Sequence, residues 1–487
     1  MKVILLITIV LLSIWAAYNF IHPTLLLTLY AFIVIAPLLV IFIKKNLFNG
    51  LLLWFVLVLF KEFGRIRIPL LPDFPPERIV WLLLFLLFFT EVAFKQRRLV
   101  QGGLKIEIAM VLLCVYILFS MIVTGTIYKE GHGLFISTFL SSYAIPFSIF
   151  FFAKNIVDDE HKIKKIFVFF TIISFYLGLT GIFEHFELKS LVFPKYIMIP
   201  YAGVHFGRAR GPFLNASVNG TVLGIIFFMT FYLLFQRYKK WVKFLFVTSI
   251  ILMVLTIFFT LTRACWLSFL ISLFIIPVFF PQLRKIFIAV FVIMMVVFIS
   301  VSTQLDFNLQ LTTNPEREYL FGKHTFTEKI TGRFSAVNPI YARINLYGAV
   351  WQMFLEKPIF GFGFNTFGEV SPKYFHTIKG IPYEIVNVPH DTWSGILAEL
   401  GLVGLGLIFF IIFYILLVSI RSYRCLPREG FSGKGLVAVF WGATVVYLIN
   451  IEFIQMRFFL FVNSLFFLMS GIIVGLYQRH LLSSDKT

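Results

Sequence analysis

Three arginines, a histidine and a glutamate stand in this chain where chemistry explains them as readily as packing does. Arg208 and Arg210 sit among glycines in His205-Phe-Gly-Arg208-Ala-Arg210-Gly-Pro-Phe-Leu-Asn215. A guanidinium is a rigid, always-charged fork that matches phosphate oxygens. Gly207 and Gly211 would let the backbone approach the same group. Arg263, in Leu261-Thr-Arg263, interrupts a long apolar stretch with only Thr, Ser and Cys as polar company. A charge in an apolar layer costs on the order of 3 kcal/mol on insertion scales, so it needs a partner or a task. Pro389-His390-Asp391-Thr392-Trp393 is followed by Glu399-Leu-Gly401-Leu-Val-Gly404. Asp391 or Thr392 suits a helix N-cap, which would set His390 at the helix mouth as a proton acceptor near neutral pH. Glu399 would lie roughly two turns further in, an intramembrane carboxylate. The plainer alternatives are arginines snorkelling to headgroups, His390 as an ordinary interfacial residue, and Glu399 paired with Arg263, Arg343 or Arg457.

The elements that must position these groups follow from composition. The chain has 487 residues, 60% hydrophobic and 13% charged, with a mean hydropathy of +0.93. Soluble domains are nearer half apolar and about a quarter charged. This excludes a soluble enzyme, a nucleic-acid-binding domain and a disordered chain. Long unbroken apolar runs, rather than short alternating strands, indicate a polytopic all-α membrane protein and not a β-barrel. The net charge of +19 then points to a positive-inside bias and an anionic substrate. Cys114, Cys265 and Cys425 are too scattered for a disulfide framework or a thiolate metal site.

Runs of sufficient length predict spans at 3–21, 24–43, 47–60, 79–94, 104–124, 133–153, 164–183, 218–236, 242–261, 264–281, 286–302, 396–419, 435–451 and 458–477, about 12–14 in all. No small-x-small cleavage site follows the first, so it is kept as a span rather than a leader. With the N-terminus inside, 23 Lys and Arg fall in inner segments against 11 in short outer ones, which orients both termini inward. The chain divides into N-terminal spans (1–183), spans carrying the arginine stretches (184–302), a large outer segment (303–395) and C-terminal spans (396–487). The outer segment is too long for a passive connector. From Tyr341 to Leu355 its apolar residues recur every three or four positions, predicting an amphipathic helix. Lys357-Pro358 ends it and Gly361-Phe-Gly363-Phe-Asn365 follows as a turn. No Asp-x-Asp or His-x-x-x-His pair suggests a metal, and no cofactor is expected.

Four stretches together resemble the O-antigen ligase / O-antigen polymerase superfamily of bacterial envelope glycosyltransferases. Arg208-Ala-Arg210-Gly-Pro-Phe-Leu-Asn215 is similar to the family's Arg-x-x-Gly-x-Phe-x-Asn stretch. Leu261-Thr-Arg263-Ala-Cys-Trp266 is similar to its Thr-x-Ser-Arg-Gly element, without the Ser and the Gly. Arg343, followed by Glu356-Lys-Pro358-Ile-Phe-Gly361-Phe-Gly363, is similar to its Pro-(hydrophobic)-x-Gly-x-Gly signature. His390-Asp391-x-Trp393 with Glu399-x-Gly401 is similar to its His-Asn-x-aromatic…Glu-x-Gly motif, with Asp in place of Asn.

The resemblance implies a metal-independent transfer of glycan from an undecaprenyl-diphosphate-linked donor to an acceptor glycan hydroxyl. The site would lie on the outer face of the bacterial cytoplasmic (inner) membrane. It implies that Arg208, Arg210 and Arg263 hold the donor diphosphate and that His390 orients or deprotonates the acceptor, with Arg263 and His390 as the catalytic pair. Asn215, Arg343 and Glu399 would bind the donor or dock the loop. The partners implied are the lipid-linked glycan, the acceptor, the bilayer, and flippase and chain-length regulator proteins. A polysaccharide polymerase is favoured over a ligase serving a lipid or protein acceptor. A lipid-linked glycan flippase is disfavoured because the charged candidates cluster on one face instead of deep in several spans.

Overall fold

The computed structural model describes residues 39–61, 75–97, 99–100, 104–128, 132–285, 287–289, 292, 338–375, 389 and 391–484. The first predicted span, most of the second and most of 286–302 lie outside the described residues, as does His390. Every regular element among the described residues is helical. We number them α1 (Leu47–Leu59) and α2 (Pro76–Ala93), α3 (Leu104–Val123), α4 (Phe135–Ile156) and α5 (Glu160–His185). Next come α6 (Ala216–Leu233), α7 (Lys240–Phe259), α8 (Arg263–Leu273) and α9 (Ile275–Phe279). The last four are α10 (Asn338–Glu356), α11 (Thr392–Cys425), α12 (Lys434–Phe453) and α13 (Leu460–Ser484). Eight of these helices are long and apolar enough to cross a membrane. The protein is a polytopic helical membrane protein.

The chain forms two compact units. The first comprises residues 1–100 with 155–157. Within it Gly50 on α1 lets Leu84 of α2 pack closely, and Asn155 accepts from the Val100 amide at 2.9 Å. The second unit holds the remaining helices. At its centre α6 is almost wholly buried, as its unstriped apolar sequence requires. Gly220 and Gly224, one turn apart, admit Cys265 of α8 and Val446 of α12 at distances where a Cβ would clash, the small-residue packing expected between helices in lipid.

Three predicted spans are interrupted. α4 contains a π-helical turn at Leu140–Ala144. The run predicted at 264–281 divides into α8 and α9 around Phe274; Pro277 has no N–H to return to the Leu273 carbonyl, so the helix cannot continue unbroken. α11 changes direction at Gly401 (φ 60°, ψ −160°). The amphipathic helix expected at Tyr341–Leu355 is α10. Its Leu346, Val350 and Met353 are buried against Phe367 and Ala398 of α11, which seats it on the bundle.

Candidate functional site

The four stretches converge on one end of the second unit. The last turn of α5 carries Glu184, whose carboxylate accepts from the backbone of Arg210 and Gly211, each at 2.9 Å. The Ala209 amide donates to the carbonyl of Phe259, the last residue of α7, at 3.1 Å. α6 opens directly afterwards, and α8 opens at Arg263. Near the start of α8, Ser268 accepts from Asn450 of α12 at 2.6 Å, and Cys265 lies 3.5 Å from the same amide. α12 then runs into Ile454, whose carbonyl accepts from the Thr392 hydroxyl at 3.0 Å at the mouth of α11.

In the first stretch Arg210 is fully buried and its guanidinium faces inward. It donates through Nε to Glu184 (3.2 Å), through Nη1 to the Ala202 carbonyl (2.5 Å), and through Nη2 to the carbonyls of Ile197 (2.6 Å) and Ile199 (2.7 Å). Phe206 lies under it, 4.8 Å away. Burial lowers the pKa of Arg210 below the ordinary guanidinium value, with Glu184 opposing. This geometry ties the 197–211 loop to the end of α5. Asn215 is the N-cap of α6, its side-chain oxygen accepting from Ser217 (2.9 Å) and Val218 (3.3 Å). Arg208 is likewise buried. Arg263 is half-buried at the first position of α8, where the helix N-terminus carries partial positive charge of its own.

The third and fourth stretches form one object. At the break in α11 the Ala398 and Glu399 carbonyls lose their helical partners and accept instead from Phe362 (3.1 Å) and Gly363 (2.8 Å). On the far side, the Leu402 and Val403 amides donate to the carbonyls of Pro358 (2.9 Å) and Ile359 (3.2 Å). The Tyr116 hydroxyl of α3 is shared between the carbonyls of Leu400 (2.8 Å) and Phe360 (3.0 Å). The Gly361-x-Gly363 and Glu399-x-Gly401 elements are therefore two sides of one crossing. A Cβ on Gly401, at φ 60°, would fall 2.4 Å from the Ile359 carbonyl oxygen, and one on Gly361 would fall 2.5 Å from that of Glu399. Glycine is required at both.

Glu399 is buried in this crossing and receives a bidentate fork from Arg457, Nη1 to Oε2 at 2.6 Å and Nη2 to Oε1 at 2.8 Å. The backbone of Asn365 (2.7 Å) and Phe367 (3.3 Å) donates to the same carboxylate. Burial works against the charge on Arg457, but Glu399 outweighs it and raises the pKa above the ordinary guanidinium value. In the amide orientation that satisfies its neighbours, Gln455 accepts from Arg457 Nε and Nη2, both at 2.9 Å. Its nitrogen then donates to the carbonyls of Pro389 (3.0 Å) and Asp391 (2.5 Å). The backbone on either side of position 390 is thus fixed to the Glu399–Arg457 pair.

Asp391 is the N-cap of α11, accepting from the Ser394 amide at 2.7 Å and from the Ser394 hydroxyl. Tyr347 of α10 faces this cap. Its phenol is raised above the usual range first by burial and then by Asp391, with Arg343 opposing and Glu452 adding to the rise. The Arg343 guanidinium lies 5.8 Å from the Phe453 ring.

Of the residues singled out in the sequence, Arg208, Arg210, Asn215, Arg263, Arg343 and Glu399 stand at this one end, with Pro389 and Asp391 flanking position 390. Arg210, Asn215 and Glu399 have positioning geometry, their polar atoms directed at protein groups. Of the three partners open to Glu399, Arg457 is the one it takes. Glu184, Gln455, Tyr347 and Glu452 escaped the sequence reading. The signal for Glu184 was a lone carboxylate at the end of an apolar run. For Gln455 it was an amide two positions before Arg457 in an otherwise apolar connection. Among the described residues no group of three or more His, Cys, Asp or Glu is placed to hold a metal ion.

A family model described as O-antigen ligase matches residues 248–410. The matched segment contains Arg263, the outer segment, the glycine crossing and Glu399. It supports assignment to the O-antigen ligase/polymerase superfamily, and together with the apolar helices it supports a membrane protein of that type. A search of curated proteins gives no match.

Proposed function

We propose that this chain, a membrane enzyme of the O-antigen ligase/polymerase type, is a glycosyltransferase that works at the outer face of the bacterial cytoplasmic membrane. Both termini lie inside. The donor is a glycan on undecaprenyl diphosphate and the acceptor is a glycan hydroxyl. Polymerisation is the favoured outcome, with attachment of finished glycan to a lipid or protein acceptor as the alternative. The observation that carries the reading is the convergence of cationic residues and the Pro389–Asp391 segment on one end of the bundle, beside a carboxylate already neutralised by Arg457. In this reading Arg208 and Arg263 hold the diphosphate, and Arg343 assists in donor binding.

In the reaction the acceptor oxygen attacks the anomeric carbon as the bond to the diphosphate breaks. His390 takes the hydroxyl proton, and the lipid diphosphate leaves with its charge. Charge grows on the leaving oxygen in the transition state, so preorganised arginines in a water-poor site stabilise that state more than the ground state. Alignment of donor and acceptor supplies much of the remaining acceleration. Inversion at the anomeric carbon follows from a single displacement. Arg210, Asn215 and Glu399 act by holding the surrounding loops.

His390→Ala and Arg263→Ala should each abolish glycan polymerisation or attachment at unchanged protein abundance, read from the product ladder. A full chain-length distribution in both variants would refute the catalytic assignment. Deleting the protein separates the two transfer reactions. Single repeat units on the final acceptor mean a lost polymerase, whereas long chains stranded on the lipid carrier mean a lost ligase.

A further inference from the structure

The segment that crosses the break in α11 also has a definite depth. A hydrocarbon core about 30 Å thick needs roughly 20 helical residues, and α3 has 20, so its whole length is occupied in crossing. Thr124, just past its end, touches Gly363: a Cβ there would lie 2.6 Å from the threonine methyl. Roughly two turns back, about 12 Å along the axis, Tyr116 holds the carbonyls of Phe360 and Leu400. Residues 358–363 therefore descend along α3 from the rim into the apolar layer.

Non-helical backbone at that depth is tolerated only if its polar groups are satisfied by protein. Here the carbonyls of Pro358, Ile359 and Phe360 all accept from protein donors, and the amides of Gly361, Phe362 and Gly363 all donate to protein carbonyls. The side chains do the opposite and turn outward. Ile359 is 53% and Phe360 63% exposed, as is Leu402 (51%) just beyond the break. On α3 beside Tyr116, Val115 and Phe119 are exposed too. Glu356 and Lys357, exposed just before the turn, direct their charges to Tyr374 and the Phe362 ring, whereas the uncharged Ile359 and Phe360, next to the lipid-facing flank of a span, have acyl chains as their natural surroundings.

We propose that residues 358–363 form a re-entrant turn whose Ile359 and Phe360 side chains contact the acyl chains of the bilayer. The proposal rests on α3 being a span and is independent of the reaction assigned above. Nitroxide labels placed at Phe360→Cys and, separately, Ile359→Cys test it, in a Cys114→Ser, Cys425→Ser background with the buried Cys265 retained. In phosphatidylcholine vesicles both labels should collide with molecular oxygen more than with a water-soluble nickel chelate, as a label at Phe119→Cys should. A label at Tyr201→Cys, on the loop after α5, should show the reverse preference. Nickel accessibility at 359 and 360 matching that at 201 would overturn the proposal. Low accessibility to both probes, as beneath a second copy or a protein partner, would overturn it as well.

Discussion

Two buried carboxylate–arginine pairs stand at the same end of the bundle and do their work in opposite ways. At Glu184–Arg210 the contact between the charges is single and long, 3.2 Å, and the arginine is the gripping member, collecting three loop carbonyls from Ile197 to Ala202. At Glu399–Arg457 the fork is doubled and shorter. There the carboxylate collects the amides of a segment remote from both members, Asn365 and Phe367, whereas Glu184 collects only those of its partner Arg210 and the adjoining Gly211. The pKa directions follow. Burial prevails at Arg210, whereas the partner's charge prevails at Arg457. One pair closes a local loop, with Glu184 and Arg210 only 26 positions apart. The other joins three segments remote in the chain. A local staple restrains one loop, while the remote one restrains the glycine crossing, the mouth of α11 and the α12–α13 connection together.

The largest effect is therefore expected at Arg457. Arg457→Ala leaves Glu399 buried and uncompensated, a change that costs about 3–5 kcal/mol, and should lower the unfolding midpoint in detergent and abolish transfer. Glu399→Gln in the same chain should recover part of the midpoint. Arg210→Ala also strands a buried carboxylate, Glu184, but its damage should stay local, and loss of amide protection at 361–367 in that variant would break the contrast.

A smaller effect sharpens the same contrast. Arg210→Lys keeps the charge but cannot reach Glu184 and three carbonyls at once. It should cost about 1–3 kcal/mol through carbonyls left without donors. Limited proteolysis should then cut within 186–207 while sparing 361–366. Cleavage at both places would mean that the two clamps are one cooperative unit.

The smallest change probes the crossing itself. Tyr116→Phe removes one hydroxyl shared by the Phe360 and Leu400 carbonyls and should cost about 1 kcal/mol. Deuterium uptake should rise at the Gly361–Gly363 amides and stay unchanged at Arg210 and Gly211. An equal rise at both sites would contradict the separation of the two regions.

Much of this end of the molecule was legible in the residue order. Asp391 or Thr392 reads as a cap because a short side-chain oxygen before an apolar run satisfies an orphan amide locally, and Asp391 is the one that does so. α10 reads from its three- and four-residue spacing, and it is seated through those residues. Arg210 reads as a phosphate-matching fork among glycines, and Glu399 as an intramembrane carboxylate in need of a partner. Which partner each takes was not legible. Glu399 could have met any of three arginines, and nothing in a linear pattern separates them.

By itself the sequence determined the class of solvent, the helical periodicity and the places where glycine or a charge interrupts it, because these depend on a residue and its neighbours within a turn or two. Only the tertiary structure decided that the glycines after α10 and the glycine in α11 answer one another, that Gln455 and Arg457 hold the flanks of position 390, and that the Glu399 carboxylate is already engaged. Those outcomes depend on which unsatisfied backbone and charged groups meet once the spans pack. In lipid, where water cannot substitute, every such meeting must close within the protein itself.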